Sequence, residues 1–400
     1  MLLTRIVKPI FIDAAPEVLK WLRVSSGCEI EDVKKRLGTT TEIILELETG
    51  KRKPTLNQLK TLSKMYRRPL ASFLLSEPKS ERPTPKDLRY LPGRTDKFDK
   101  KTILAIRKAR NLQNIGRELS LNVGYDTSIK IGRAWLTNDP ERVATAYRHE
   151  FSFSLDKQKK FTAYEMFGYL RGVLEDMNIL TFHFPMAIED ARGFALADET
   201  PNVIVVNSMD SIEARLFTMI HEFGHILLGE TVIDLPGKSL ILNNGIEAWC
   251  DAFSASFFLP AELAKDLFVR RRESLTKPST LNSLSERYKV SKAVLLVRML
   301  NLNFIDIREF KFILARRVPE EMKIETEKAK KVTNISADRR CISEMGTKFV
   351  SLVANNFDKE FITYDDALSY LSVKSKNFDK VLARVRNDYQ SSYNGCVFVR

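Results

Sequence analysis

Histidine is scarce in this chain, four in 400 residues, and cysteine is equally rare. Cys28, Cys250, Cys341 and Cys396 are scattered with no C-x-x-C pair, which argues against a cysteine zinc site and suggests reduced thiols in a cytosolic protein. No apolar run approaches the roughly 18 residues needed to cross a bilayer, so no membrane partner is expected. The N-terminus, "MLLTRIVKPIFIDAAPEVLKWLR", is broken by Lys8, Pro9, Asp13 and Pro16 and lacks the continuous apolar core of a secretory signal. Repeats and long low-complexity tracts are also missing. These absences leave a cytoplasmic protein long enough for two or three packed domains. Acid falls short of base, 51 Asp+Glu against 64 Lys+Arg for a net +13, which favours acidic partners, nucleic acid first.

The chain begins helical. "PEVLKWLRVSSG", "EIEDVKKRLG", "TTTEIILELETG" and "KRKPTLNQLKTLSKMYRRPLASFLL" each carry apolar residues at helical spacing, with Gly27, Gly38 and Gly50 where helices stop. Residues 1–75 are read as one all-α domain. Pro78, Pro83, Pro85 and Pro92 mark residues 76–98 as an extended linker. Residues 99–159 form a helical connecting region, opening on a long polar helix from Asp99 to Leu121, with Trp135 and Tyr147 as expected core residues. Residues 160–310 mix helix and strand: the helix "FTAYEMFGYLRGVLEDMN", the strand "ILTFHFP", the Gly-containing segment "ARGFALADE" and the β-branched strand "NVIVVN". Beyond lie a second helix-turn-helix pattern turning at Val290–Ser291, then a charged run and a helical module over 311–400. The fold class expected is multidomain and mainly α, an all-α domain followed by an α+β core in which three short strands lie beside the helix "SIEARLFTMIHEFGHILLGE".

That helix holds half of the histidines. "FTMIHEFGHILLGE" places His221 and His225 four positions apart with Glu222 beside the first, the pattern H-E-x-x-H. On a helix, positions i and i+4 share one face, so both imidazoles reach one zinc ion. Glu222 then stands where it can act as general base on a water that the metal activates. Two ordinary histidines on a core helix is the plainer reading, but with so few histidines the pattern arises by chance on the order of once in several hundred chains.

A catalytic zinc site needs a third protein ligand. Glu230 falls a little over one turn past His225 and points away. Asp234 sits in a turn and stays open as an alternative. Glu247 opens "EAWCDAFSASFFLP", an amphipathic helix with Asp251 four positions on and on the same face. Packed antiparallel to the first helix, it would aim Glu247 at the metal and let Asp251 accept the N–H of a ligating ring. His149 and His183 are candidates for an extra oxyanion donor, though each reads first as an ordinary structural or surface histidine, and Asn207 and Arg215 could serve substrate or fold.

Four blocks, "GVLEDMNILTFHF", "ARGFALADETPNVIVVNSMD", "ARLFTMIHEFGHILLGE" and "EAWCDAFSASFFLP", resemble the ImmA/IrrE-type metallopeptidases, in the family's order. Cys250 and Ser254 stand where that family has other small residues. The resemblance implies an α+β gluzincin-like zinc peptidase with His221, His225 and Glu247 as ligands and Glu222 as base. It also implies a regulatory role, cleaving a helix-turn-helix repressor, with a homodimer left open.

Residues 17–75 resemble the Cro/repressor-like (XRE) helix-turn-helix family, with "ETGKRKP" the most telling piece. That fold sends the N-terminal residues of its recognition helix into the major groove. Here they are Thr40, Thr41, Glu42, Ile43 and Glu46, with none of the Arg, Lys, Asn or Gln side chains that make strong base contacts. Lys51, Arg52 and Lys53 can grip phosphates, so weak, non-specific DNA binding is expected, with Thr40 and Thr41 nearest the bases. Two functions follow: a regulatory zinc endopeptidase acting on a protein substrate, or a DNA-binding regulator whose peptidase fold serves as sensor or scaffold. The intact zinc motif favours the first.

Overall fold

The computed structural model describes residues 9–78, 98–125, 131–234, 245–313 and 335–395. The charged run at 320–331, most of the linker and the turn before Gly245 lie outside them. The chain divides into two compact units, the first built on residues 1–84 with 91–106 and the second on 85–90 with 107–400.

The first unit contains α1 (Pro16–Ser25), α2 (Ile30–Leu37), α3 (Thr41–Glu48) and α4 (Leu56–Tyr66), followed by a 3-10 turn at Leu70–Leu74. Local chemistry sets the ends. Gly38 closes α2 in the left-handed region at φ 62°, where a side chain would be strained. Thr55 and Gln58 cap α4 reciprocally. Val18, Leu22, Val33, Ile44, Leu47, Leu59, Tyr66 and Phe73 make a shared core. A buried ion pair of Arg23 with Glu48, 2.6 Å, ties α1 to the end of α3.

The second unit is organised on a four-stranded sheet of order β1-β3-β2-β4, with β1 Ile179–Phe184, β2 Gly193–Leu196, β3 Asn202–Asn207 and β4 Val232–Asp234. The sequence signals three strands. The fourth, in "TVID", pairs antiparallel with β2 and is too short to announce itself by alternation. β1 runs parallel to β3, and β2 antiparallel to it. Every residue of β1, β2 and β3 is buried, so the strands read as continuous apolar runs.

Both sheet faces are therefore covered. Ile179, Ala195, Ile204 and Val206 join one core with residues of α8 (Ala163–Asp176) and α9 (Ile212–Leu228). On the other face, Lys108 of α5 (Lys100–Asn122) lies over the Phe184 ring, and Gly116 leaves room for Leu180. The C-terminal helices complete that layer: Phe349 meets Phe182 edge-on at 5.6 Å, and the Asn356 side-chain amide donates to the Leu119 carbonyl.

α10 (Gly245–Phe258) packs along α9 so closely at Gly224 that a Cβ there would sit 3.1 Å from the Cys250 sulfur. An aromatic cluster of Tyr147, Phe151, Phe223, Phe253 and Phe257 supports the contact. Trp135 departs from expectation. It is 59% exposed and stacks under the Arg133 guanidinium instead of entering the core.

Candidate metal centre

α9 and α10 run antiparallel: Glu247 lies beside His221 and His225 near one end, and the Ser254 hydroxyl donates to the Phe217 carbonyl near the other. α9 starts at Ser211, whose hydroxyl accepts the Ala214 N–H, and ends at Gly229 in the left-handed region, so H-E-x-x-H falls within unbroken helix.

The ligand atoms converge. His221 Nε2 is 3.1 Å from His225 Nε2 and 3.2 Å from Glu247 Oε2, and His225 Nε2 is 3.5 Å from Glu247 Oε1. Among the described residues this is the trio of His, Cys, Asp or Glu able to meet at one ion. A tetrahedral zinc with bonds of about 2.0–2.1 Å sets its ligand atoms about 3.3 Å apart, which these separations straddle. The donor set, two imidazoles and a carboxylate, is that of a catalytic zinc site with one position left for water. The residues fit the metal.

The surroundings orient the ligands. Asp251 Oδ1 lies 3.0 Å from His221 Nδ1, which favours the proton on that nitrogen and leaves Nε2 with its lone pair toward the ligand trio. Burial raises the Glu247 carboxyl pKa, but the contacts with His221 and His225 outweigh it and hold the group ionised, well below the usual range. Burial pushes the neighbouring Cys250 thiol up, so it stays protonated.

Glu222 is fully buried on α9, facing β2. A Cβ on Gly193 would lie 3.1 Å from Glu222 Oε1, 2.4 Å from the Thr218 methyl and 2.9 Å from the Val205 carbonyl. Glycine is required there so that the helix can approach the strand with the carboxylate between them. Residue-by-residue reading missed Gly193; the only trace was a lone glycine inside a strand pattern.

Other candidates fall elsewhere. Glu230 is exposed, its N–H bonded to the His225 carbonyl at the helix end. Asp234 pairs through its backbone opposite Gly193. His149 is exposed on α6 (Pro140–Glu150). His183 is buried on β1 with its ring 4.6 Å from Phe167, and burial depresses its pKa so that it is neutral. Asn207 is a structural clasp, its amide serving the Met186 N–H and the Met186 and Ala191 carbonyls. Arg215 donates to the Asp210 carbonyl.

In the first unit, Thr40 occupies the N-cap position of α3 without a side-chain capping bond, and the Thr41 hydroxyl donates to Glu31 across the helix-turn-helix. Lys51 is exposed, while Arg52 pairs with Glu46 and Lys53 with Asp13, each at 3.1 Å. Two of the three predicted phosphate grips thus already have carboxylate partners.

Comparison with known proteins agrees with both halves of this description. Residues 174–300 match the peptidase M78 family model, the IrrE N-terminal-like domain, and residues 19–73 match a helix-turn-helix family model. The chain carries an IrrE-type metallopeptidase domain behind an XRE-type helix-turn-helix domain. It is 32% identical over 125 residues to the radiation response metalloprotease IrrE of Deinococcus deserti, an alignment covering 27% of this chain. The match spans 43% of that relative's length. No described helix is long and apolar enough to cross a membrane.

Proposed function

We propose that this chain is a regulatory zinc endopeptidase. The observation that carries the reading is the set of three ligand atoms at 3.1–3.5 Å spacing with Glu222 beside the first ligand on the same helix. His221, His225 and Glu247 would hold the ion, and Asp251 would keep the His221 ring in its ligating tautomer. Zinc bound there supplies Lewis acidity, which lowers the pKa of water towards about 7 and polarises a peptide carbonyl.

Glu222 is the proton carrier in this reading. Its carboxylate takes the proton of the attacking water and returns it to the leaving amine. It is held between α9 and β2, on the helix that carries both histidines. The substrate we propose is a protein, a helix-turn-helix repressor being the family's characteristic target.

Proteomic comparison of cells expressing the wild type or Glu222→Gln tests the function. A regulatory protein cleaved only in the wild-type cells is the expected result. Equal cleavage in both, or loss of metal from the variant, would show that Glu222 is not the base.

A further inference from the structure

The recognition helix of the helix-turn-helix, α3, carries acidic side chains and no basic one. In the fold, α3 enters the groove while α2 crosses the backbone. The start of α2 presents Glu29, Glu31 and Asp32, all exposed, and α3 presents Glu42 and Glu46. These groups are contiguous: Thr41 at the head of α3 bonds Glu31 of α2, and Glu42 and Glu46 are one turn apart. Two basic neighbours are engaged, Lys34 with Glu31 at 3.0 Å and Arg52 with Glu46, while Lys35 and Arg36 of α2 are exposed.

Glu42 is ionised at neutral pH; its own N–H and the Thr40 hydroxyl bond the carboxylate and lower its pKa. DNA carries one negative charge per ~1.7 Å of axis, so each carboxylate brought to that surface is repelled.

Between Glu42 and Glu46 stands Leu45, 45% exposed on the outward face of α3. An exposed leucine with Glu42 one turn before it and Glu46 beside it gives an apolar centre with charge at its edge, the layout of a protein-docking patch. We propose that the α3 face docks a protein: a basic, amphipathic segment whose apolar side chain covers Leu45 and whose Lys or Arg residues pair with Glu42 and displace Arg52 and Lys34 from Glu46 and Glu31. Charge complementarity selects this occupant over DNA. The inference does not depend on the peptidase turning over, so the two can fail separately.

The full-length, zinc-loaded chain is tested by fluorescence anisotropy at about 0.15 M salt with three labelled probes. They are an amphipathic helical peptide with leucine flanked by Lys and Arg, the same peptide with every Lys and Arg changed to Glu, and a duplex DNA. The basic peptide should bind and the acidic one should not. Leu45→Glu and the double variant Glu42→Lys/Glu46→Lys should each weaken the basic peptide at least 10-fold, with circular dichroism unchanged, and the double variant should bind the duplex more tightly than wild type. The proposal is overturned if both variants leave peptide binding unchanged. Tighter wild-type binding of the duplex than of the peptide, reduced by Leu45→Glu, would overturn it in favour of DNA. A self-associating wild type made monomeric by Leu45→Glu would assign the face to a second copy.

Discussion

Asp251 stands 3.0 Å from Nδ1 of His221, while Glu247, one turn earlier on α10, reaches Nε2 of the same ring at 3.2 Å. One imidazole is thus held from both sides by carboxylates of a single helix. The two acids should differ in what their removal does. Glu247→Ala should lose zinc on dialysis, because two imidazoles alone complete no site. Asp251→Ala should retain zinc with affinity about 10–100-fold weaker, and Asp234→Ala should leave it unchanged. Zinc content by elemental analysis separates the three; loss of metal from Asp234→Ala alone would move the third ligand to β4.

Gly193→Ala should impair catalysis without touching a ligand. The new methyl would collide with Thr218 and the Val205 carbonyl and crowd Glu222. A displacement of about 1 Å can cost on the order of 10²-fold in rate, and overpacking about 1–3 kcal/mol in stability. Zinc stoichiometry should stay at the wild-type level. Wild-type cleavage by this variant would show that the spacing between α9 and β2 is not critical.

The C-terminal helices are held to the peptidase core by a fully buried pair, Arg171 with Glu175 at 3.0 Å. Arg171 also donates to the carbonyls of Ser343 and Thr181, and Glu175 accepts the Lys348 N–H. Burial disfavours the charged form of both, raising the Glu175 pKa and lowering that of Arg171. Removing one partner strands the other, so Glu175→Ala should destabilise the second unit by about 3–5 kcal/mol, while Arg171→Met/Glu175→Leu should cost less than the single change. Urea unfolding of the variants decides this; a double variant worse than Glu175→Ala would count against it.

Alkaline stability should depend on Tyr147. Burial pushes its phenol up to about 12, with Glu150 adding to the rise. The unfolded group titrates near 10. The folded state therefore holds the proton longer, and the corresponding stability is fully present below about pH 10 and lost as pH rises through 12. Tyr147→Phe, which cannot ionise, should show a shallower fall of the urea midpoint between pH 10 and 12. Parallel curves for the two proteins would refute the assignment.

Much of this molecule was written locally. His221, Glu222 and His225 declare themselves because a helix brings i and i+4 to one face whatever surrounds it. Gly38, the Thr55–Gln58 cap and the apolar runs of β1 and β3 are likewise decided within a few residues. Packing decided the rest. Which carboxylate meets the histidines depended on α10 lying against α9, a contact permitted by the missing side chain of Gly224. The room for Glu222 came from Gly193, on a strand far from it in sequence. The second face of the sheet is covered by a polar-looking α5 and by C-terminal helices more than a hundred residues beyond the strands, so no window of sequence held both partners. Short-range periodicity reports the geometry of one element, whereas which elements share a core is settled by the mutual exclusion of volume in three dimensions.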